Sequence, residues 1–117
     1  MKPETRLMVA IFGERSQGAN DEDFPESVNG VPLREVLESL MDELAQSRPT
    51  SAPAFSKNVK PLILMRYGFT TGAAMTYQDI AKVFGVTRER VRQLDCKALR
   101  MLRHPSRSRR LKSYLEQ

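Results

Sequence analysis

Four side chains with the chemistry of base recognition stand close together in the C-terminal half of this chain: Arg88, Glu89, Arg92 and Gln93. Arginine can bond guanine with two hydrogen bonds, glutamine can do the same with adenine, and glutamate can accept from cytosine. If the segment is helical, the four share one face over its first two turns. Other chemistries are poorly served. The chain has no paired-carboxylate site, no glycine-rich phosphate loop and no nucleophile beside a base, so it does not read as an enzyme. The single cysteine, Cys96, and the single histidine, His104, have no ligand partners near them in the sequence. No metal or other cofactor is expected.

The elements that must position these side chains are legible from their caps. Thr87 is an N-cap for a helix that runs to about Arg103, and Val91, Leu94, Ala98, Leu99 and Leu102 form its core face. Arg88, Glu89, Arg92, Gln93, Cys96, Lys97, Arg100 and Arg103 lie on the opposite face. A shorter helix precedes it, from Thr76 to Phe84. Thr76 is its cap, Asp79 can reach back as a weak capping box, and Ile80, Ala81, Val83 and Phe84 supply its buried side. Gly85 ends it, with Val86 as an apolar plug in the turn. Two capped helices joined by a glycine turn form a helix-turn-helix. In that motif the front of the second helix enters the major groove and the first lies across the phosphate backbone.

Upstream, Leu33, Val36, Leu37, Leu40, Met41 and Leu44 mark an amphipathic helix over residues 33–46. Residues 47–56 read as a Pro/Ser/Ala linker. A second helix follows, with Asn58 as N-cap, Pro61 in its first turn and Gly68 as a left-handed stop after Tyr67. Residues 70–75 form a polar loop, Pro105 and Ser106 break the chain after Arg103, and a short helix spans about Ser108 to Leu115. Residues 13–32 read as loop or disorder, and Arg6 to Phe12 as the one stretch that fits a strand as well as a helix. The expected fold is therefore all-α: four to five helices in residues 33–117, containing the helix-turn-helix, after a flexible or partly ordered acidic segment, 1–32.

Charge supports a nucleic-acid partner. Residues 1–58 hold six Lys or Arg against ten Asp or Glu, a net of −4; residues 59–117 hold thirteen against four, a net of +9. A basic half beside an acidic half is a nucleic-acid footprint, although a solvated charged surface has the same composition. No apolar run is long enough for a transmembrane helix, and a lone cysteine fits a reducing cytoplasm.

The stretch Val86-Thr87-Arg88-Glu89-Arg90-Val91-Arg92-Gln93 resembles the recognition-helix signature of bacterial primary sigma factors. Lys97 to Ser108, Leu111 to Leu115, and Met65-Arg66-Tyr67-Gly68-Phe69 extend the likeness over roughly residues 62–117. The resemblance implies region four, which binds the minus-35 promoter element and docks on the flap of the polymerase beta subunit. It implies base reading by Arg88, Glu89, Arg92 and Gln93, and backbone contacts by Thr76, Tyr77, Thr87 and Lys97. It also implies a basic face toward activators at Arg100, Arg103 and His104, although His104 could equally be a cap. Implied partners are double-stranded promoter DNA, core RNA polymerase, and activators or anti-sigma factors, in the cytoplasm at the nucleoid.

Two departures bear on these expectations. Ser56 to Pro61 lacks the acidic residue usual in the polymerase-docking helix and places a proline inside it. Residues 1–60 also lack the aromatic and basic composition of region two, so this chain alone is not expected to initiate transcription. Open readings are a sigma factor fragment or variant, a split sigma factor, a phage- or plasmid-type regulator of polymerase, and a stand-alone helix-turn-helix repressor. A module that occupies the flap without reading DNA is a further alternative.

Overall fold

The computed structural model describes residues 2–13, 24–46 and 53–115. It is helical, as expected: α1 (Pro3–Phe12), α2 (Leu33–Gln46), α3 (Pro53–Arg66), α4 (Tyr77–Phe84) and α5 (Arg88–Arg103) are its principal elements. A C-terminal run of short turns follows: α6 (Pro105–Ser108), a 3₁₀ turn (Arg109–Leu111) and α7 (Lys112–Leu115). Among the described residues no helix is long and apolar enough to cross a membrane.

The apolar stripe of α2 is buried as its spacing requires, with Leu33, Leu37, Leu40, Met41 and Leu44 all inside. It packs on α3 through Val59, Leu62 and Ile63, and the α5 face of Val91, Leu94, Ala98 and Leu102 completes the core. Leu99 is only half-buried. At the edge of the α2–α3 contact, Lys60 Nζ donates to Asp42 Oδ1 at 2.7 Å.

Four elements differ from the sequence expectations; one is the C-terminal helix expected at about Ser108 to Leu115, which instead begins at Pro105 and is divided into α6 and α7 by the 3₁₀ turn. Arg6 to Phe12 lies in a helix, and Leu7, Met8 and Ile11 join the central core. Their spacing, one turn or less apart, gives α1 an apolar face that the surrounding helices cover. Part of the stretch read as loop is ordered as a hairpin of β1 (Ser27–Val28) and β2 (Val31–Pro32), which pair antiparallel. Its turn is Asn29-Gly30, both at positive φ (52° and 80°), the conformation that an Asn-Gly pair favours in a two-residue hairpin. The Tyr114 hydroxyl donates to the Val31 carbonyl at 2.6 Å and ties α7 to this hairpin. Residues 14–23 of the same stretch lie outside the described residues, as do residues 47–52 of the expected linker.

The last difference is the start of α3. It opens at Pro53, five residues before the expected cap at Asn58, so Pro61 stands inside the helix and not in its first turn. A proline suits a helix's first position because its missing N–H has no partner to lose there. Pro61 does remove one intrahelical donor, but it faces solvent, while Val59, Leu62 and Ile63 hold the segment against the core. Burial of those three side chains is worth several kcal/mol at about 1.5–3 each, which exceeds the roughly 3 kcal/mol that an interior proline costs.

The exit from α3 depends on Gly68, at φ +87°. A Cβ there would meet the Arg6 guanidinium and would lie 3.1 and 3.2 Å from the backbone of Ala73 and Ala74. Arg6 Nη1 uses this space to donate to the carbonyls of Tyr67 and Gly72, each at 3.2 Å, which fastens α1 to the loop between α3 and α4. Gly85, at φ +69°, has open space around its Cβ position. Gly68→Ala should therefore cost about 2–4 kcal/mol, strain plus overpacking, and Gly85→Ala only the about 1–2 kcal/mol of left-handed strain. Urea unfolding of both variants checks this; equal losses would show that the Arg6 contact has no energetic role.

Candidate nucleic-acid interface

The two helices that present the candidate reading face are capped as their sequence demands. Thr76 Oγ1 accepts from the Asp79 backbone N–H and Thr87 Oγ1 from that of Arg90, both at 3.1 Å. The reciprocal bond from Asp79 to Thr76 is absent among the described residues; Asp is one methylene shorter than the Glu of a full capping box. Gly85 adopts the left-handed conformation and donates its N–H to the Ala81 carbonyl. Ile80 and Ala81 are buried between the helices. Val83 and Val86 are not: they are 62% and 40% exposed, against the expectation that they pack inside. Val83 lies on the outer side of a helix of only 8 residues, and Val86 follows the glycine turn where the chain swings outward.

All four candidate reading residues, Arg88, Glu89, Arg92 and Gln93, are exposed at the front of α5. They are not independent. Arg92 Nη2 donates to Glu89 Oε1 at 2.6 Å, and Arg92 Nε approaches both Glu89 oxygens at 2.9 and 3.1 Å. The hydrogen bond from Arg92 lowers the Glu89 carboxyl below its usual range. The same bond raises the Arg92 guanidinium. Arg92 also reaches Cys96 Sγ at 3.7 Å. The pair lies between Arg88 on one side of the helix face and Gln93 on the other. An exposed pair of this kind opens readily, because surface ion pairs contribute little.

The remaining candidates divide by what their side chains touch. Thr76 and Thr87 are exposed at the helix starts, where their backbone neighbours can meet phosphate. Lys97 is half-buried one turn behind Gln93, and Arg100 is exposed. Arg103 has a structural engagement: its Nε and Nη2 donate to the carbonyls of Ile11 and Ala10 at 2.9 and 2.7 Å and cap the end of α1. His104 accepts the Ser106 backbone N–H at its Nδ1 (3.2 Å) and starts α6 as an N-cap.

Asp95 was not singled out by sequence reasoning, yet it anchors the interface from behind. It is a carboxylate on α5 with 1% of its surface exposed. Tyr67, just past α3, donates its hydroxyl to Oδ1 at 2.9 Å, and Tyr77, the first residue of α4, donates to Oδ2 at 2.6 Å. Arg66 lies over the Tyr77 ring, 4.2 Å from its centroid, and donates Nη1 to the Met75 carbonyl at 2.9 Å. Tyr77 was expected to contact the DNA backbone; its hydroxyl proton is directed inward, which leaves its backbone N–H at the α4 terminus for that purpose. Burial, then the bond to Asp95, pushes the Tyr77 phenol up to about 12. Burial and the Asp95 charge raise the Tyr67 phenol as well.

The capped helix, glycine turn and capped helix with a polar front define the helix-turn-helix class. Residues 60–104 match the family model for sigma-70, region 4. RNA polymerase sigma factor SigA of a Bacillus species is 46% identical over 84 residues, covering 72% of this chain and 19% of that protein. SigA of Listeria monocytogenes serovar 1/2a is 44% identical over 84 residues, covering 72% of this chain and 20% of its own length. The chain thus spans about a fifth of the length of the curated relatives it matches. No solved structure matches it significantly. Over residues 60–104 the chain is thus similar to region 4 of sigma-70 factors.

The raised phenols link stability to alkaline pH. In the unfolded chain both tyrosines lose their protons near pH 10, whereas in the folded protein they keep them to higher pH. Their contribution is complete below pH 10 and is lost as pH rises through about 12, where Tyr77 titrates. Denaturation midpoints measured from pH 8 to 12 should fall more steeply for the parent than for a Tyr67→Phe/Tyr77→Phe variant. Parallel curves would contradict the assignment.

Proposed function

We propose that this chain binds the minus-35 promoter element through α4 and α5, as a sigma factor-like subunit or regulator of bacterial RNA polymerase. The observation that carries the reading is the exposed Arg88, Glu89, Arg92 and Gln93 set at the capped front of α5. Arg88, Arg92 and Gln93 offer donors suited to guanine and adenine, and Glu89 is an acceptor suited to cytosine. The Glu89–Arg92 pair opens or shifts when these side chains meet base edges. The backbone N–H groups at the N-termini of α4 and α5, that of Tyr77 among them, with Thr76, Thr87 and the cation of Lys97, hold phosphate; the Tyr77 side chain takes no part.

Partners follow from the same reading. Core polymerase tethers the domain near the promoter through its beta-subunit flap, which raises the local concentration of an otherwise weak DNA binder. The early start of α3 and its internal Pro61 reshape the helix that faces the flap in the family. Arg100 is available to a neighbouring activator, with Arg103 and His104 beside it engaged in capping contacts. Sigma factors are transcription factors and not enzymes, and no catalytic step is assigned to this chain.

Reading and holding separate by mutation. Arg88→Ala or Gln93→Ala should cost roughly 1–3 kcal/mol on the preferred site and relax preference at one or two base pairs. Lys97→Ala should weaken all sequences alike and lower the log–log salt slope by about one. The measurement is binding to single-base promoter variants at two salt concentrations, with circular dichroism to confirm the fold. The same uniform loss from Arg88→Ala and Lys97→Ala would make α5 a generally basic surface and not a reading helix.

A further inference from the structure

We propose that Asp95, with Tyr67 and Tyr77, is a positioning unit that sets the orientation of the reading helix relative to the phosphate-holding helix, and so determines base discrimination. The inference rests on the DNA-reading function proposed above and names residues that act through others, since none of the three reaches the reading face.

The geometry carries it. Asp95 sits midway along α5, three residues after Arg92 and two after Gln93. Its two oxygens are bonded to two different elements: Oδ1 to Tyr67 at the exit of α3 and Oδ2 to Tyr77 at the entry of α4. One buried carboxylate therefore links the helix that reads, the helix whose start meets phosphate, and the end of the helix behind them. Arg66 extends the linkage through its stack on Tyr77 and its bond to the Met75 carbonyl.

The apolar contacts of α5 do not supply the same constraint. Val91, Leu94, Ala98 and Leu102 bury surface, and that stabilisation is non-directional. A roll of α5 by about 10° would change their burial little. At a side-chain radius of about 5–6 Å it would move the reading groups by about 1 Å. A bidentate bond to a base tolerates only a few tenths of an ångström. Two hydrogen bonds to the separate oxygens of one carboxylate resist such a roll, because any rotation lengthens or misaligns at least one of them. Such bonds, with one partner charged, are also the stronger kind.

A merely structural role predicts loss of stability. A positioning role predicts loss of discrimination even where stability is kept. The triple variant Tyr67→Phe/Tyr77→Phe/Asp95→Leu distinguishes them, since replacing all partners of a buried polar cluster by apolar groups of similar shape is often neutral for folding. Tyr77→Phe alone is the milder companion, and it decides the matter if the triple variant does not fold. The 117-residue chain and both variants are assayed at low salt, below their unfolding temperatures, by selection from a duplex DNA library with a randomised core, and by affinity for non-specific duplex DNA. The expected result is an about tenfold loss of preference for the selected site over its single-base variants, with non-specific affinity and salt slope unchanged. Undiminished preference in a folded variant overturns the positioning role and leaves the DNA-reading function standing. A parent chain that selects no sequence overturns the DNA-reading function and this inference with it. An equal drop on specific and non-specific DNA assigns the three residues to folding alone and also overturns it.

Discussion

A carboxylate buried beneath a helix must be satisfied from within the protein, and in this fold Asp95 is satisfied by two phenols from two other elements. Leaving such a charge without partners costs several kcal/mol, so the arrangement admits little slack. Tyr67 has to leave α3 at the height of Asp95, which requires the sharp reversal at Gly68. Tyr77 has to open α4 beside it, which Thr76 makes possible by capping that first turn. The loop between them is held by Arg66 on Met75 and by Arg6 on the carbonyls of Tyr67 and Gly72. The relative placement of α3, α4 and α5 follows from these contacts together with the shared apolar core.

The outer elements brace this centre. α1 is fastened near its start by Arg6 and at its end by Arg103, whose guanidinium answers the carbonyls that a helix terminus leaves unpaired. The C-terminal turns are tied to α2, where Glu43 pairs with Arg110 and lies 3.5 Å from Arg107, and to the hairpin through Tyr114. Several basic residues of the C-terminal half are thus engaged within the fold. Arg88 and Arg100 stay exposed, and Arg92 is paired with its exposed neighbour Glu89. The net +9 of residues 59–117 therefore overstates the charge available to DNA, and the location of the exposed cations says more than their sum.

What was legible in the sequence is what local physics dictates. Thr76, Gly85 and Thr87 act within one turn of themselves, so their residue types suffice to place both helices of the motif. The α2 stripe and the core face of α5 follow from helical periodicity. The illegible features are those set by distant partners. Asp95 meets residues 28 and 18 positions away, and Arg103 meets residues 92 and 93 positions away, separations at which residue type alone gives no pairing. Arg6 to Phe12 has an apolar run that either secondary structure could bury, and the choice was made by the helices around it. The Asn29-Gly30 hairpin is a different case: the dipeptide carries a strong turn signal, obscured by a stretch whose composition favours loop. At the candidate site the four side-chain types were legible, whereas the coupling of Glu89 to Arg92 emerged only from their rotamers.

The claim that residues 60–104 deliver promoter recognition to polymerase is tested most directly by hydroxyl-radical footprinting of promoter DNA with core RNA polymerase, with and without this chain. A short protected duplex segment upstream of the polymerase's own footprint should appear only when the chain is present, and should lose its sharp boundary with Gln93→Ala. Binding of the chain to polymerase with no added upstream protection would contradict it.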